Sequence, residues 1–119
     1  MKNLLLASLL CCSLLSCYET PQIDGFSSEN WKNALSDCSD YRSDNVELVI
    51  ENQEKILTKG QNQVKNILGK PSEHELYRRN QKLFHYDLNC ASDSAELQRL
   101  TILFDALGRA KELRIETKI

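Results

Sequence analysis

Cysteine has the most distinctive chemistry of the residues in this chain, because its thiol can be oxidised, acylated or bound to a metal. The 119 residues include five cysteines, and three of them, Cys11, Cys12 and Cys17, lie close together near the N-terminus. The other two, Cys38 and Cys90, are 52 positions apart. The spacing therefore divides the thiols into an N-terminal group and a separated pair.

The N-terminal cysteines lie at the end of an apolar segment. Residues 1–3 carry one positive charge, and residues 4–15 are rich in Leu and contain no charged residue. About 12 residues are too few to span a bilayer, which needs about 20, but they match the apolar region of a secretory signal peptide. We therefore predict that residues 1–16 form a signal peptide and leave them out of the fold.

The preceding residues distinguish Cys17 from its two neighbours. Ser16 is a small residue of the kind that signal cleavage requires, whereas Cys11 follows leucine and Cys12 follows cysteine. The segment "LLSC" resembles the lipobox of bacterial lipoproteins. The resemblance implies that Cys17 receives a diacylglyceryl thioether, becomes the mature N-terminus and is then N-acylated. The alternatives are a secreted protein in which Cys17 is incidental, and a buried helix formed by residues 4–15.

Several acyl chains would hold the protein stably on a membrane without a spanning segment. Tyr18, rather than an aspartate, follows the lipidated position, which favours the outer membrane with the domain facing the periplasm. Display on the cell surface is the alternative. The segment "YETPQIDGFS" has no apolar period, so residues 17–27 are predicted to be a lipidated tether.

Three later segments have the apolar spacing of helices. The segment "SSENWKNALSDC" predicts a short helix with Ser28 as its N-cap. In "SDNVELVIENQEKILTKG", Asp44 is the candidate cap, and Glu47 three residues later completes a pair like a capping box. The third, "QNQVKNILGKP", is predicted to end at Gly69, because the residue after a helix often needs a positive φ, which glycine adopts readily, and Pro71 prevents continuation.

After the third helix the apolar period changes from 3.6 to 2. The segments "KLFHYDL", "LQRLTILF" and "AKELRIE" alternate as strands, and "DALG" joins the last two through Gly108. The segment "ELYRR" is a candidate for a further short edge strand. One apolar face per strand predicts an antiparallel sheet covered on one side. Residues 28–119 are therefore predicted to be an α+β domain, with two to three N-terminal helices packed on one face of a three- or four-stranded meander.

Cys38 and Cys90 are placed at the ends of predicted elements, where a covalent link is feasible. Export would put them in an oxidising compartment, where paired thiols tend to form disulfides. Closing this loop would stabilise the fold by about 4 kcal/mol on chain-entropy grounds. We predict a Cys38–Cys90 disulfide, with two separate thiols as the alternative. No CxxC or Cys-His arrangement accompanies them to indicate a catalytic thiol.

Other polar groups give weaker signals. His74 and His85 lack the spacing of a metal site, and we expect both to be solvated. The segment "SDCSDYRSD" lacks the ligand spacing of a Ca²⁺ loop and is expected to cap a helix. The basic segment "LYRRNQK" is interpreted as the exposed side of an edge strand. Its functional alternative is a contact with anionic lipid headgroups or an acidic partner.

Charge and motifs narrow the functional classes. Without Lys2, the chain carries 14 basic against 17 acidic residues and has no basic stripe of the kind that nucleic-acid binding requires. The sequence contains no GxSxG, GxGxxG or P-loop motif. We therefore expect a non-enzymatic protein without a cofactor, a metal, a nucleic-acid partner or a small-molecule substrate.

The order of "KGQNQVKNILGKP", "KLFHYDL" and "LTILFDALGRAKELRIE" resembles the SmpA/OmlA (BamE-like) family of small outer-membrane lipoproteins. The resemblance is carried by a helix signature, an aromatic strand and a closing hairpin, with Gly60, Gln63, Val64, Leu68, Gly69, Pro71, Tyr86, Phe104, Asp105 and Gly108 at the matching positions. The segment around Cys38 lies outside this pattern.

The family resemblance implies a fold of two helices against a three-stranded antiparallel sheet, as in the BamE and β-lactamase-inhibitor-like group, and no enzyme activity. It also implies an accessory role in barrel assembly at the outer membrane, with contacts to partner lipoproteins and phosphatidylglycerol. We therefore expect a membrane-anchored interaction or scaffold module in outer-membrane protein assembly or envelope integrity. The alternative is a small binding or inhibitor module that uses the exposed sheet face against a periplasmic or external protein.

Overall fold

The computed structural model describes residues 21–90 and 96–118. Three helices precede four strands: α1 (Ser28–Asn33), α2 (Tyr41–Glu51), α3 (Gln61–Leu68), β1 (Glu73–Leu76), β2 (Lys82–Asp87), β3 (Leu97–Phe104) and β4 (Ala110–Lys118). The predicted signal peptide and the predicted lipidation site Cys17 lie outside the described residues.

The first helix begins one residue earlier than predicted. The N-cap is Ser27 rather than Ser28, because the Ser27 hydroxyl accepts a hydrogen bond from the backbone N–H of Asn30 at 3.2 Å. A serine at either position fits the local pattern, and the hydrogen bond to the third residue of the first turn decides between them. Ile23 is already buried, so the packed domain begins before the predicted boundary at residue 28.

The second helix begins at Tyr41, so the prediction of Asp44 as its cap is wrong. Asp40 occupies the cap position, and the N–H of Asp44 donates to the carbonyl of Asp40 within the helix at 2.9 Å. Tertiary contacts explain the additional turn, because the Tyr41 ring packs 6.2 Å from Phe26 and Arg42 is buried. The helix ends at Glu51 and is followed by a 3-10 turn, Gln53–Lys55.

The third helix ends as predicted. Gly69 has φ 79°, and its N–H donates to the carbonyl of Lys65 at 2.8 Å. A Cβ atom at Gly69 would lie 2.8 Å from Cγ of Lys32 on α1, so a side chain here would meet both strain and a steric clash. Glycine therefore ends α3 and lets it approach α1.

The four strands form one antiparallel sheet in the order β1-β2-β3-β4, which confirms the α+β prediction. β1 is displaced from the predicted segment "ELYRR" and covers Glu73–Leu76. It ends there because Arg79 and Asn80 adopt positive φ in the following turn. Gly108 has φ 79° in the β3–β4 turn, as predicted.

The two faces of the sheet have different chemistry. The inner face, which meets the helices, carries the predicted alternating apolar residues, and its fully buried side chains are Phe84, Tyr86, Leu100, Ile102 and Phe104. The buried side chains of the helical layer pack against them and include Trp31, Val46, Val49, Val64, Ile67 and Leu68. The outer face is predominantly polar and is described below.

Candidate interaction surface at the hairpin end

The register places both hairpin turns at the same end of the sheet. Leu76, Lys82, Phe104 and Ala110 lie side by side across the four strands. Neighbouring strands are about 4.8 Å apart, so this row spans about 14 Å. We call this the hairpin end. The opposite end, where β2 leads towards Cys90, is called the disulfide end.

Among residues 21–90 and 96–118, three of the four exposed large hydrophobic residues lie at the hairpin end. Leu76 is 77% exposed, Tyr77 is 45% exposed and Leu107 is 76% exposed. By the strand register, Leu76 shares the inner face with Phe104, but it lies two strands further out and the helices do not cover it. Single exposed apolar residues are common, whereas several at one end of a small domain indicate a contact site.

The β1–β2 turn presents Tyr77 on a backbone that satisfies its own hydrogen bonds. The Tyr77 N–H donates to the carbonyl of Gln81 at 2.8 Å, and the Gln81 N–H donates to the carbonyl of Arg78 at 3.1 Å. The Arg78 guanidinium lies 6.0 Å from the centre of the Tyr77 ring. This turn therefore combines an exposed aromatic ring with two adjacent guanidinium groups, since Arg79 follows in the sequence.

The β3–β4 turn, which carries Leu107, is held by hydrogen bonds to a carboxylate within the turn. The Asp105 carboxylate accepts hydrogen bonds from the backbone N–H groups of Leu107 at 2.9 Å and Arg109 at 3.0 Å. The pKa of Asp105 is lowered, chiefly by the hydrogen bond from the Arg109 N–H. Desolvation raises this pKa, whereas the hydrogen bond from the Leu107 N–H lowers it further. Asp105 thus fixes the turn that carries Leu107.

Both turns also carry basic residues, Arg78 and Arg79 after Tyr77 and Arg109 after Leu107. We define the hairpin-end surface as Leu76, Tyr77, Arg78, Arg79, Leu107 and Arg109. An open cleft of about 410 Å³ lies beside it, lined by Leu57, Thr58, Asp105, Arg109, Ala110 and Lys111. The surface therefore offers apolar anchors, basic side chains and an adjacent concavity. This arrangement suits a partner with an acidic, partly apolar surface.

At the disulfide end, the sulfur atoms of Cys38 and Cys90 lie at disulfide distance, with their Cα atoms 5.6 Å apart. Cys38 follows α1, and its φ of 49° is unusual for a residue other than glycine. The link joins the segment between α1 and α2 to the end of β2. The structure therefore brings together the two cysteines that were predicted to form a disulfide.

The burial of Arg42 was not predicted from the sequence, and the contacts of its side chain are structural. Its Nε donates to the carbonyl of Trp31 at 2.8 Å, and its guanidinium donates to the carbonyl of Asp87 at 2.9 Å. The guanidinium also lies 5.2 Å from the centre of the Trp31 ring. Burial lowers the pKa of Arg42, against the effects of Tyr86 and Asp87. Arg42 thus joins α1, α2 and β2 near the disulfide end.

The prediction that His85 is solvated is wrong. His85 is 1% exposed on the outer face of the sheet, where Nδ1 lies 2.8 Å from the Thr101 hydroxyl and Nε2 lies 2.9 Å from the Glu75 carboxylate. The Thr101 hydroxyl continues the chain to Glu116 at 3.1 Å. His85 therefore contacts side chains on both neighbouring strands, Glu75 on β1 and Thr101 on β3. His74 is exposed, as predicted, with its ring 5.2 Å from that of Phe84.

The hydrogen-bond chain on the outer face connects both ring nitrogens of His85 to side chains on neighbouring strands. The Thr101 hydroxyl donates in turn to the carboxylate of Glu116. The same cluster contains Arg99, which lies 3.2 Å from Glu116. The cluster therefore links the side chains of all four strands across the outer face.

The remaining predicted sites can be placed within the described part of the chain. Residues 21–90 and 96–118 contain no group of three or more His, Cys, Asp or Glu residues that could hold a metal ion. In the acidic segment, Asp37 and Asp44 line a second open cleft between α1 and α2. Among these residues, no helix is long and apolar enough to cross a membrane.

Part of the hairpin-end surface could be identified from the sequence alone. The basic segment "LYRRNQK" marks four of its residues, Leu76, Tyr77, Arg78 and Arg79. Leu107 and Arg109 belong to another hairpin, and the strand register is needed to bring the two turns together. Comparisons of the chain with protein-family models, with curated proteins and with solved structures find no match.

Proposed function

We propose that this protein is a lipid-anchored, non-catalytic interaction module of the bacterial cell envelope that binds a partner protein through the hairpin-end surface. The observation that carries the proposal is the exposure of Leu76, Tyr77 and Leu107 at one end of the sheet, beside basic side chains. The lipobox-like "LLSC" and the resemblance to the SmpA/OmlA (BamE-like) family support an outer-membrane location facing the periplasm. A component of barrel assembly is the partner that this resemblance favours.

The anchor would keep the domain close to the bilayer. Ile23 is the first buried residue of the described chain. An extended chain spans at most about 3.6 Å per residue, so Ile23 can lie at most about 22 Å from a lipidated Cys17. A partner of this module would therefore also lie at the membrane surface.

The alternative function, a binding or inhibitor module that uses the exposed sheet face, has weaker support. The outer face of the sheet is less suited to docking than the hairpin end. Its central side chains, His85 and Thr101, are buried and hydrogen-bonded to the carboxylates of Glu75 and Glu116. A partner that docks there would first have to displace these ionic and hydrogen-bonded contacts, which is costly. The exposed apolar side chains lie instead at the hairpin end.

The anchor is tested by metabolic labelling with a fatty-acid analogue in cells that express the full chain. Cys17→Ser should abolish labelling and release the protein from the membrane fraction. Cys12→Ser is the matched control, because it removes a thiol from the predicted signal peptide and should leave labelling unchanged. Equal labelling of the two variants would contradict the proposed anchor.

The partner surface is tested by photo-crosslinking in the same cells. A benzophenone amino acid at position 107 should give a discrete cross-linked protein band, whereas the same probe at Ser36, exposed near the disulfide end, should not. Leu76→Ser should weaken the band about tenfold, as expected when a central apolar anchor is removed. Adducts with lipid alone, or equal bands from both positions, would contradict a protein partner at this surface.

A further inference from the structure

The outer edge of β4 is an open backbone edge. β4 is the last strand of the sheet, so one of its edges has no neighbour among the strands that the structure describes. Among residues 21–90 and 96–118, backbone hydrogen bonds reach this edge only at Ala110, through the carbonyl of Lys59 at 2.8 Å and the N–H of Thr58 at 2.7 Å. The edge along residues 111–118 is therefore a template for another strand.

The other edge strand is better protected against pairing. β1 has four residues, follows Pro71, and ends at a turn with positive φ at Arg79 and Asn80. β4 has nine residues and contains neither proline nor glycine. Short edges and abrupt turns limit strand addition, whereas β4 pairs without a register shift from residue 112 to residue 118, beyond the bulge opposite Leu103 and Phe104. A strand partner therefore fits β4 better than β1.

Charge selects the register in which a second copy could pair with this edge. In an antiparallel pair, residues directly opposite one another share a face of the sheet. When a two-fold axis relates the two strands, it must therefore pass between two copies of the same residue, which is then opposite itself. An axis at Arg114 would place two arginines opposite each other, and an axis at Glu116 would oppose two glutamates. An axis at Leu113 would extend the pairing to Ala110, whose backbone is already bonded within its own chain.

An axis at Ile115 avoids these conflicts. Arg114 of each copy then lies opposite Glu116 of the other, which gives two opposite-charge pairs. Within one chain, Arg114 Nε already lies 2.8 Å from the Glu116 carboxylate, so the four groups would form an alternating cluster. Opposite charges directly across two strands stabilise their pairing, whereas like charges oppose it.

Ile115 also supplies an apolar contact at the axis. It is 36% exposed, although it lies on the inner face opposite the fully buried Leu100. In the self-paired register, the two Ile115 side chains are directly opposite and cover each other. Pairs of β-branched side chains in this position are favourable.

We propose that the protein forms a two-fold dimer in which the β4 strands of two copies pair antiparallel with Ile115 at the axis. The two sheets become one sheet of eight strands, with both helical layers on the same side. The hairpin-end surface of each copy remains open, because the paired edge lies beyond Ala110.

The register is tested by cysteine cross-linking of the full chain in membranes under a mild oxidant. Residues directly opposite have Cα atoms about 4.5–5.5 Å apart, which suits a disulfide. Ile115→Cys should give a band of twice the chain mass that disappears on reduction. Leu107→Cys is the matched control, because it is more exposed but lies at the hairpin end. Equal yields from the two variants would overturn the proposal.

A mixed experiment identifies the pairing partner of each residue. Arg114→Cys and Glu116→Cys chains should cross-link to each other when they are co-expressed, and about tenfold less when each is expressed alone, since like positions are then diagonal and beyond the reach of a disulfide. Yields that do not rise on mixing would indicate another register, and a band of another mass would indicate a different partner. Either result overturns the proposal. Neither readout depends on the hairpin-end surface.

Discussion

At the disulfide end, groups from distant parts of the chain are buried and bonded to one another, whereas at the hairpin end apolar side chains remain in solvent. Arg42 binds two backbone carbonyls near the disulfide end, and the Cys38–Cys90 link closes the same region. At the other end, Tyr77 and Leu107 lie exposed in turns whose hydrogen bonds are local. The hairpin end also has long-range bonds, from the Ala110 backbone to Thr58 and Lys59, but the apolar side chains of its turns remain exposed and can contact a partner.

The comparison explains how a small domain can expose apolar residues without losing its fold. A domain of about 100 residues buries a limited core, so it depends on a few additional links. Two of these links, the Cys38–Cys90 pair and the hydrogen bonds of Arg42, lie away from the hairpin-end surface. Substitutions at the two ends should therefore have separate effects, on stability at one end and on binding at the other.

The largest effect on stability is expected from the disulfide end. Replacing both Cys38 and Cys90 with Ser should lower the free energy of unfolding by about 4 kcal/mol, because the unfolded chain is no longer held in a loop. Urea unfolding of the full protein measures this loss. Cys11→Ser, in the predicted signal peptide, is the control and should leave the urea midpoint unchanged. A loss below about 1 kcal/mol would show that this link contributes little.

The next largest effect is expected for Arg42→Met. The substitution keeps an unbranched apolar stem but removes the guanidinium, so the carbonyls of Trp31 and Asp87 lose this donor, which should cost about 3 kcal/mol. The control is Arg78→Met, because the Arg78 guanidinium lies near an aromatic ring in an exposed turn. Its expected cost is below about 0.5 kcal/mol. Similar urea midpoints for the two variants would contradict the distinction between the two ends.

Features that depend on neighbouring residues were predictable from the sequence. Gly69 with Pro71 specified the end of α3, and Gly108 specified the β3–β4 turn, because their backbone requirements are local. The period of two correctly assigned Phe84 and Tyr86 to the buried face. These signals were sufficient for the α+β class and the antiparallel sheet.

Features that depend on strand register or tertiary contacts were not predictable. His85 occupies a position that alternation assigns to the polar face, and its burial follows from Glu75 and Thr101 on the neighbouring strands. Arg42 helps to begin α2 early because its side chain is bonded elsewhere, so the local cap signal at Asp44 was misleading. The hairpin-end surface likewise requires two turns to be brought together by the sheet.

A smaller, pH-dependent effect is expected for Glu116→Gln, in the sheet row nearer the disulfide end. Burial alone would raise the pKa of Glu116, but the hydrogen bond from Thr101 and the charges of Arg114 and Arg99 lower it overall. A lowered folded-state pKa means that the carboxylate stabilises the fold above its unfolded pKa. That contribution is lost as pH falls through the folded-state value.

The variant should therefore be less stable than the unmodified protein at pH 7, by about 1 kcal/mol. The two should converge in strongly acidic solution, where the carboxyl of the unmodified protein is also neutral. Urea midpoints measured across this pH range provide the test. Glu112→Gln, exposed on the same strand and face, is the control. A difference between the Glu116 variant and the unmodified protein that persists at low pH would rule out a charge effect.

The smallest effect on stability is expected where the exposed apolar residues are removed. Leu107→Ser should change the free energy of unfolding by less than about 0.5 kcal/mol, because its side chain is already mostly in solvent. Leu88→Ala is the matched comparison, since Leu88 is 1% exposed near the disulfide end and its truncation should cost about 3 kcal/mol. A large loss for Leu107→Ser would mean that Leu107 supports the fold, and the hairpin end would then no longer be separable from the core as a binding surface.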